Sequence, residues 1–99
     1  MNEDCQAWQR LDVWLWCARF ARSRAECARL VNEGAVRINR QPTEKAHAKL
    51  RAGDTLTLGQ RGTVRVVRVV ALARRRGPAS EARQLYDEID DTASALRGA

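Results

Sequence analysis

The sequence predicts an α+β fold: a helix pair packed on a small four- to five-stranded sheet, antiparallel or mixed, with a C-terminal helix. Two stretches have the apolar spacing of helices, and several short alternating stretches between turn-forming residues have the pattern of strands. The chain has 99 residues, which is enough for one domain and too few for two with independent cores. Its composition, 44% hydrophobic and 30% charged, is typical of a folded soluble protein.

The first helix is predicted over residues 10–20. Apolar side chains recur there at the spacing i, i+3, i+4 and i+7, at Leu11, Trp14, Leu15 and Ala18. These side chains share one face, which we assign to the core. Trp16 lies about 200° around the helix from Trp14, so the two rings cannot share one core. We expect Trp16 to pack against the C-terminal helix or, as the weaker alternative, to stack on a base.

The second helix is predicted to follow the short link Ala21-Arg22 and to run to about Glu33. Ser23 and Glu26 match the S-x-x-E capping box, in which the hydroxyl caps the first turn and the carboxylate reaches back to the cap. Gly34 stands where a helix commonly ends on a glycine. The inward side chains are expected to be Cys27, Ala28, Leu30 and Val31.

The strands are predicted between turns. The expected strands are 35–38, 55–58 and 63–72, separated by turns at 39–42 and 51–54 and by a hairpin loop at 59–62. After the run Arg74 to Arg76, Gly77-Pro78 interrupts the chain, and an acidic helix is predicted from Ala79 to about Asp90 with Pro78 at its first position.

The charge is unevenly distributed. Residues 10–76 hold 14 Arg and 2 Lys against 5 acidic side chains, a net charge of +11, whereas residues 1–9 carry −2 and residues 77–99 carry −3. Arginine suits bidentate phosphate contacts and stacking on bases. The distribution therefore predicts a polyanionic partner. It also predicts an acidic extension over 1–9, a binding domain over 10–73, and a basic linker with an acidic helix over 74–99.

The residues that catalysis requires are not apparent in the sequence. His47 is the one histidine and has no cysteine or carboxylate at ligand spacing, and no nucleophile elbow, phosphate loop or dinucleotide motif occurs. Three cysteines cannot all pair internally, and none has the spacing of a metal site. We therefore predict no enzyme activity, cofactor or metal. The acidic N-terminus lacks the pattern of a secretory signal and no stretch could span a membrane, which predicts a cytoplasmic protein without membrane contact.

Binding chemistry is concentrated at the helix pair. Arginines crowd the link and the start of the second helix, at Arg19, Arg22, Arg24 and Arg29. Guanidinium groups beside the positive end of a helix dipole form an environment that suits phosphates. The alternative from spacing alone is a solvated face whose charge is balanced by Asp12, Glu26 and Glu33.

Several spaced motifs carry a resemblance to a known family. They are Arg10-Leu11-Asp12, Arg19-Phe20, Ser23-Arg24, the segment Gly34 to Asn39, and Gly53-Asp54. Through them residues 10–58 resemble the S-four RNA-binding domain. The segments Arg10 to Trp16 and Arg75 to Ala82 further resemble the fifteen-kilodalton ribosome-associated heat shock protein family, whose members bind ribosomal RNA in stalled large subunits.

The resemblance implies a site and a partner. The RNA-binding residues would be Arg10, Arg19, Arg22, Ser23, Arg24, Arg29, Arg37, Asn39 and Arg40. Val13 stands where the family commonly has a lysine, which removes one phosphate contact. The implied partner is structured RNA, specifically ribosomal RNA of the large subunit, bound by a monomer in a stress-related recycling role. Alternatives are a module that prefers tRNA or DNA, and a protein-interaction adaptor whose acidic helix binds a partner.

Overall fold

In the part of the chain that the structure describes, five strands form one antiparallel sheet. Its neighbours run in the order Gln41–Thr43 (β3), Val36–Ile38 (β2), Thr55–Gln60 (β5), Thr63–Val69 (β6) and Tyr86–Ile89 (β7), and Gln9–Arg10 (β1) and Lys49–Leu50 (β4) form a separate two-stranded ribbon. The computed structural model describes residues 7–60 and 62–89. The elements are β1 (Gln9–Arg10), α1 (Leu11–Cys17), α2 (Arg24–Asn32), β2 (Val36–Ile38), β3 (Gln41–Thr43), β4 (Lys49–Leu50), β5 (Thr55–Gln60), β6 (Thr63–Val69), α3 (Ala79–Ala82), a 3-10 turn (Arg83–Leu85) and β7 (Tyr86–Ile89). The predicted α+β class is confirmed, and the sheet is antiparallel, not mixed.

The core lies between the helix pair and one face of the sheet. The buried apolar side chains are Leu11, Trp14, Leu15, Ala18, Phe20, Cys27, Val31, Val36, Leu50, Leu56, Leu58, Val67 and Val69. The strands contribute alternate residues because successive side chains point to opposite faces of a sheet. Trp14 is fully buried, and its indole Nε1 donates to the carbonyl of Ala71 at 2.9 Å. The predicted core face of α1 is therefore confirmed, whereas Ala28 of α2 is only half-buried.

The capping residues and the terminal glycine predict the ends of α2 correctly. The Ser23 hydroxyl accepts a hydrogen bond from the Glu26 amide at 3.1 Å, and Gly34 has the left-handed φ of +80° that allows the helix to end. The capping box differs in one detail. The Glu26 carboxylate accepts from the amide of Arg22 at 3.0 Å, one residue before the cap.

The predicted C-terminal helix is wrong beyond its first turn. Helix α3 ends at Ala82, and the chain then forms the 3-10 turn and β7, which pairs with β6 in the register Val69↔Tyr86. Pro78 is the N-cap of α3, not its first residue. One of the acidic side chains predicted to lie on a solvated helix face, Glu88, instead faces β6 and accepts two hydrogen bonds from Arg65 at 2.8 and 3.1 Å. Asp90 and Asp91 lie outside the described residues.

The strand boundaries also differ from the prediction at two places. Strands β5 and β6 stay paired as far as Gln60 and Thr63, so both strands extend into the loop predicted over 59–62. Strand β6 ends at Val69, three residues before the predicted Leu72. The next two amides, of Val70 and Ala71, both donate to the carbonyl of Leu85, at 2.8 and 3.2 Å, instead of continuing the pairing with β5. No helix within residues 7–60 and 62–89 is long and apolar enough to cross a membrane.

Candidate nucleic-acid interface

An open groove of about 720 Å³ lies beside the link between α1 and α2. Its walls combine arginines with apolar and acidic side chains. The lining residues are Arg19, Phe20, Ala21, Arg22, Glu26, Arg29, Leu30, Glu33, Ala35, Gly59 and Arg76. Three of the nine predicted binding residues, Arg19, Arg22 and Arg29, therefore meet in one groove.

Arg19 occupies an unusual backbone position in this groove. Helix α1 ends in a Schellman motif, in which the Phe20 amide donates to Leu15 and the Arg19 amide donates to Trp16, both at 3.0 Å. That motif requires a left-handed residue, and Arg19 has a φ of 65°. Its guanidinium Nε donates to the carbonyl of Gly77 at 2.8 Å, which fixes the side chain at the mouth of the groove.

The N-terminus of α2 adjoins the groove, which Arg22 and Glu26 line, whereas Ser23 and Arg24 do not line it. Ser23 and Arg24 follow Arg22 directly, and all three residues are exposed at the end where the helix dipole favours an anion. The Ser23 hydroxyl already caps the helix, so its role in the free protein is structural. Glu26 and Glu33 also line the groove, which means that part of the positive charge is balanced, as the alternative interpretation expected.

The remaining predicted residues lie outside the groove. Arg10 forms a bidentate ion pair with the buried carboxylate of Asp12, at 3.1 and 3.2 Å. Arg37 is exposed on β2, and its side chain lies on the opposite face of the sheet from the buried Val36. Neither residue lines the groove.

Asn39 and Arg40 form the two-residue turn between β2 and β3. Both have positive φ, 51° and 72°, as a turn of this length requires. The Asn39 side chain is engaged at both ends, since its oxygen accepts from the Thr55 amide at 2.9 Å and its nitrogen donates to Asp54 at 3.1 Å. Asn39 therefore holds the turn against β5, a structural role that the prediction did not include.

Sequence reasoning missed Arg76. The run Arg74 to Arg76 looked like a linker, and nothing local indicates that its last residue turns into the groove. The Arg76 guanidinium lies over the Trp16 ring, 5.3 Å from its centroid, and donates to the carbonyls of Trp16 at 3.0 Å and Ala21 at 3.4 Å. Trp16 is half-buried at the edge of the core, and the contact with Arg76 belongs to neither role predicted for it.

The two cysteines in the described residues are free and buried. Burial raises the pKa of the Cys17 thiol, and it raises that of Cys27 to about 11 with a contribution from the nearby charges of Asp12 and Glu26. Both side chains are therefore neutral thiols near neutral pH and behave as small apolar groups. The site offers cations and hydrogen-bond donors, which suit phosphate binding.

Comparison with known families matches this architecture. Residues 9–56 match the family model of the S4 domain, so the helix pair and the strands β2 to β5 define an S4-domain protein. A solved structure of Vibrio cholerae heat shock protein 15, described as trimeric, superposes with a TM-score of 0.82 and 32% identity over 94% of each chain. This chain belongs to the heat shock protein 15 family.

Curated relatives give the same family. Heat shock protein 15 of Escherichia coli K12 is 42% identical over 79 residues, which are 80% of this chain and 59% of that protein. The Haemophilus influenzae homologue is 34% identical over 83 residues, 84% of this chain and 63% of its own length. The chain thus spans about three fifths of the curated relatives that it matches.

Proposed function

We propose that this protein binds structured RNA without catalysing a reaction, and that its partner is ribosomal RNA of the large subunit in a stress-related recycling role. The observation that carries the proposal is the convergence of Arg19, Arg22 and Arg29 on one groove beside the N-terminus of α2. The S4-domain match over residues 9–56 supports the same polymer class. The protein acts in the cytoplasm.

Recognition depends on backbone charge and RNA shape. Arginines are plentiful at the groove, and Phe20, its aromatic lining residue, is buried and packs against Tyr86, with ring centroids 5.0 Å apart. Phosphate contacts position a protein without reading base sequence, and folded RNA is recognised largely through its shape. If about four to six phosphates are neutralised, affinity falls steeply with salt.

The test is co-sedimentation with separated ribosomal subunits at low and moderate salt. Wild type is compared with Arg22→Glu/Arg24→Glu, which reverses two exposed charges at the start of α2. The matched control is Arg68→Glu/Arg83→Glu, which changes the net charge equally at exposed positions away from the groove. We expect wild type and the control to sediment with the large subunit and the α2 variant to remain in the supernatant.

Other outcomes separate the alternatives. Failure of wild type to sediment with either subunit contradicts the ribosomal role, and competition among tRNA, duplex DNA and ribosomal RNA then identifies the preferred polymer. Sedimentation that survives the α2 reversal keeps the function and removes the groove as the site. Sedimentation of the wild-type protein with a subunit that does not weaken as the salt concentration rises contradicts phosphate binding.

The oligomeric state of the free protein is tested separately. The sequence predicts a monomer, whereas the Vibrio cholerae relative is described as a trimer. Sedimentation velocity of the free protein decides between the two states, and the same run with RNA shows whether binding changes the mass of the complex beyond one protein chain.

A further inference from the structure

The linker between β6 and α3 is joined to the helix pair by reciprocal contacts. Arg19 donates from the end of α1 to the Gly77 carbonyl at 2.8 Å. In the other direction Arg76 donates to the carbonyls of Trp16 at 3.0 Å and Ala21 at 3.4 Å. We call these three hydrogen bonds the arginine clasp. In each of these hydrogen bonds the donor and the acceptor lie more than fifty residues apart in the chain. The clasp therefore closes a long loop onto the binding groove.

Arg76 is held more firmly than an ordinary surface arginine. Its guanidinium lies over the Trp16 ring at 5.3 Å and is only partly exposed. The Trp16 carbonyl belongs to the last turn of α1, where the helix dipole is negative and favours a cation. These contacts offset the repulsion that Arg76 experiences from Arg19 and Arg22 in the same groove. The cation is therefore already in place before any ligand arrives.

The clasp does not use all the donors of Arg76. A guanidinium has five N–H groups. The Trp16 and Ala21 carbonyls take one each, from Nε and Nη2. Because Arg76 also lines the groove, its other N–H groups can meet an anion there while the clasp remains closed.

We propose that Arg76 is a further RNA-contacting residue, which positions the α1–α2 link through the clasp and binds a phosphate with its free N–H groups. The inference rests on the proposed function and names a part of the site that the S4-domain match over residues 9–56 does not include. The binding surface is then a composite of the helix pair and the linker that follows β6. A positively charged wall from outside the matched segment widens the surface available to a folded RNA.

The experiment compares Arg76→Gln, Arg76→Lys and the control Arg68→Gln in the full chain. Fluorescence anisotropy with a labelled RNA stem-loop gives the affinity over a salt series, and urea unfolding verifies that each variant is folded. We expect Arg76→Gln to bind about tenfold more weakly, with a salt slope smaller by about one. Arg76→Lys keeps the slope but binds several-fold more weakly, since an ammonium cannot replace the planar fork over Trp16. Arg68→Gln stays within about twofold of wild type, because Arg68 lies outside the groove.

Two results overturn the inference while leaving the proposed function in place. In the first, Arg76→Gln binds like Arg68→Gln although Arg22→Glu/Arg24→Glu does not bind. In the second, both Arg76 variants bind weakly but keep the wild-type salt slope. No phosphate contact is then lost, and the role of Arg76 is limited to positioning the α1–α2 link. If Arg76→Gln fails to fold, Arg76→Met, which also removes the charge but keeps an unbranched apolar stem, replaces it: a salt slope smaller by about one supports the contact, and the wild-type slope overturns it. Absence of RNA binding by wild type contradicts the proposed function itself.

Discussion

Helices α1 and α2 end in the same hydrogen-bonded motif but with different residues at its left-handed position. At the end of α2 the Ala35 amide donates to Leu30 at 3.0 Å and Gly34 takes a φ of +80°. At the end of α1 the Phe20 amide donates to Leu15 at the same distance, and Arg19 takes a φ of 65°. The backbone geometry is the same at both ends. The left-handed position after α2 holds glycine, which the motif favours, whereas the same position after α1 holds arginine, which carries a steric penalty there.

The difference indicates what each helix end does. A residue with a Cβ costs about 1–2 kcal/mol in the left-handed region, and glycine adopts it without that penalty. The end of α2 is optimised for stability and presents no side chain. The end of α1 gives up part of that stability, and in exchange Arg19 reaches the groove and the Gly77 carbonyl. Strain of this kind is concentrated at functional positions.

Substituting Gly34→Arg tests the comparison most directly. The position has open space where a Cβ would be added, so the cost comes from the backbone alone. We expect the free energy of unfolding to fall by about 1–2 kcal/mol, measured by urea denaturation. Gly34→Asn is the control and should lose less, because asparagine tolerates the left-handed region. Equal stability of wild type and Gly34→Arg would contradict the argument about strain at Arg19.

The converse substitution, Arg19→Gly, should separate stability from binding. Removing the strained side chain gains about 1 kcal/mol, and losing its hydrogen bond to Gly77 costs about the same, so stability changes little. Affinity for an RNA stem-loop should fall about tenfold, with a salt slope smaller by about one. Arg19→Ala loses the side chain but keeps the strain, so it should be less stable than Arg19→Gly by about 1 kcal/mol. A loss of stability in Arg19→Gly equal to that of Arg19→Ala would show that the motif imposes no strain.

The sequence predicted those parts of the fold whose causes are local. Ser23, Glu26 and Gly34 mark the ends of α2 through contacts within a few residues, and the spacing of Leu11 and Trp14 identifies the buried face of α1. Arg19, Arg22 and Arg29 were also found because they are adjacent to these signals. Their meeting in one groove follows from the short link between two helices.

The parts that could not be predicted depend on distant residues. The stretch from Tyr86 to Ile89 becomes a strand because β6 offers an edge, where Arg65 meets Glu88. Arg76 enters the groove because the carbonyls of Trp16 and Ala21 bind it from the other end of the domain. The charge distribution alone predicts only a basic linker and an acidic helix for these residues. Glu88 lies 23 residues from Arg65, and Arg76 lies 60 and 55 residues from Trp16 and Ala21.

The inner faces of the two helices should also respond differently to alkaline pH. Burial raises the pKa of both thiols, and the charge of Arg76 opposes the rise at each. Arg24 opposes it further at Cys17, whereas Asp12 and Glu26 add to it at Cys27. Burial raises the pKa of Cys27 from its ordinary value of 9.0 to about 11 in the folded chain. The folded state holds this proton more tightly, so the stability linked to Cys27 is complete below about pH 9 and is lost as the pH rises toward 11.

This difference predicts a small, residue-specific loss of stability at alkaline pH. At about pH 9.5 the loss of stability from Cys27 is on the order of 1 kcal/mol. Urea unfolding at about pH 7.5 and pH 9.5 should show that Cys27→Ala loses less stability between the two conditions than wild type. Cys17→Ala is the matched control and should retain most of the wild-type loss, because Cys27 still titrates in it. Identical losses in Cys27→Ala and wild type would mean that the alkaline response arises from other groups, and that the carboxylates near Cys27 do not distinguish the two helices.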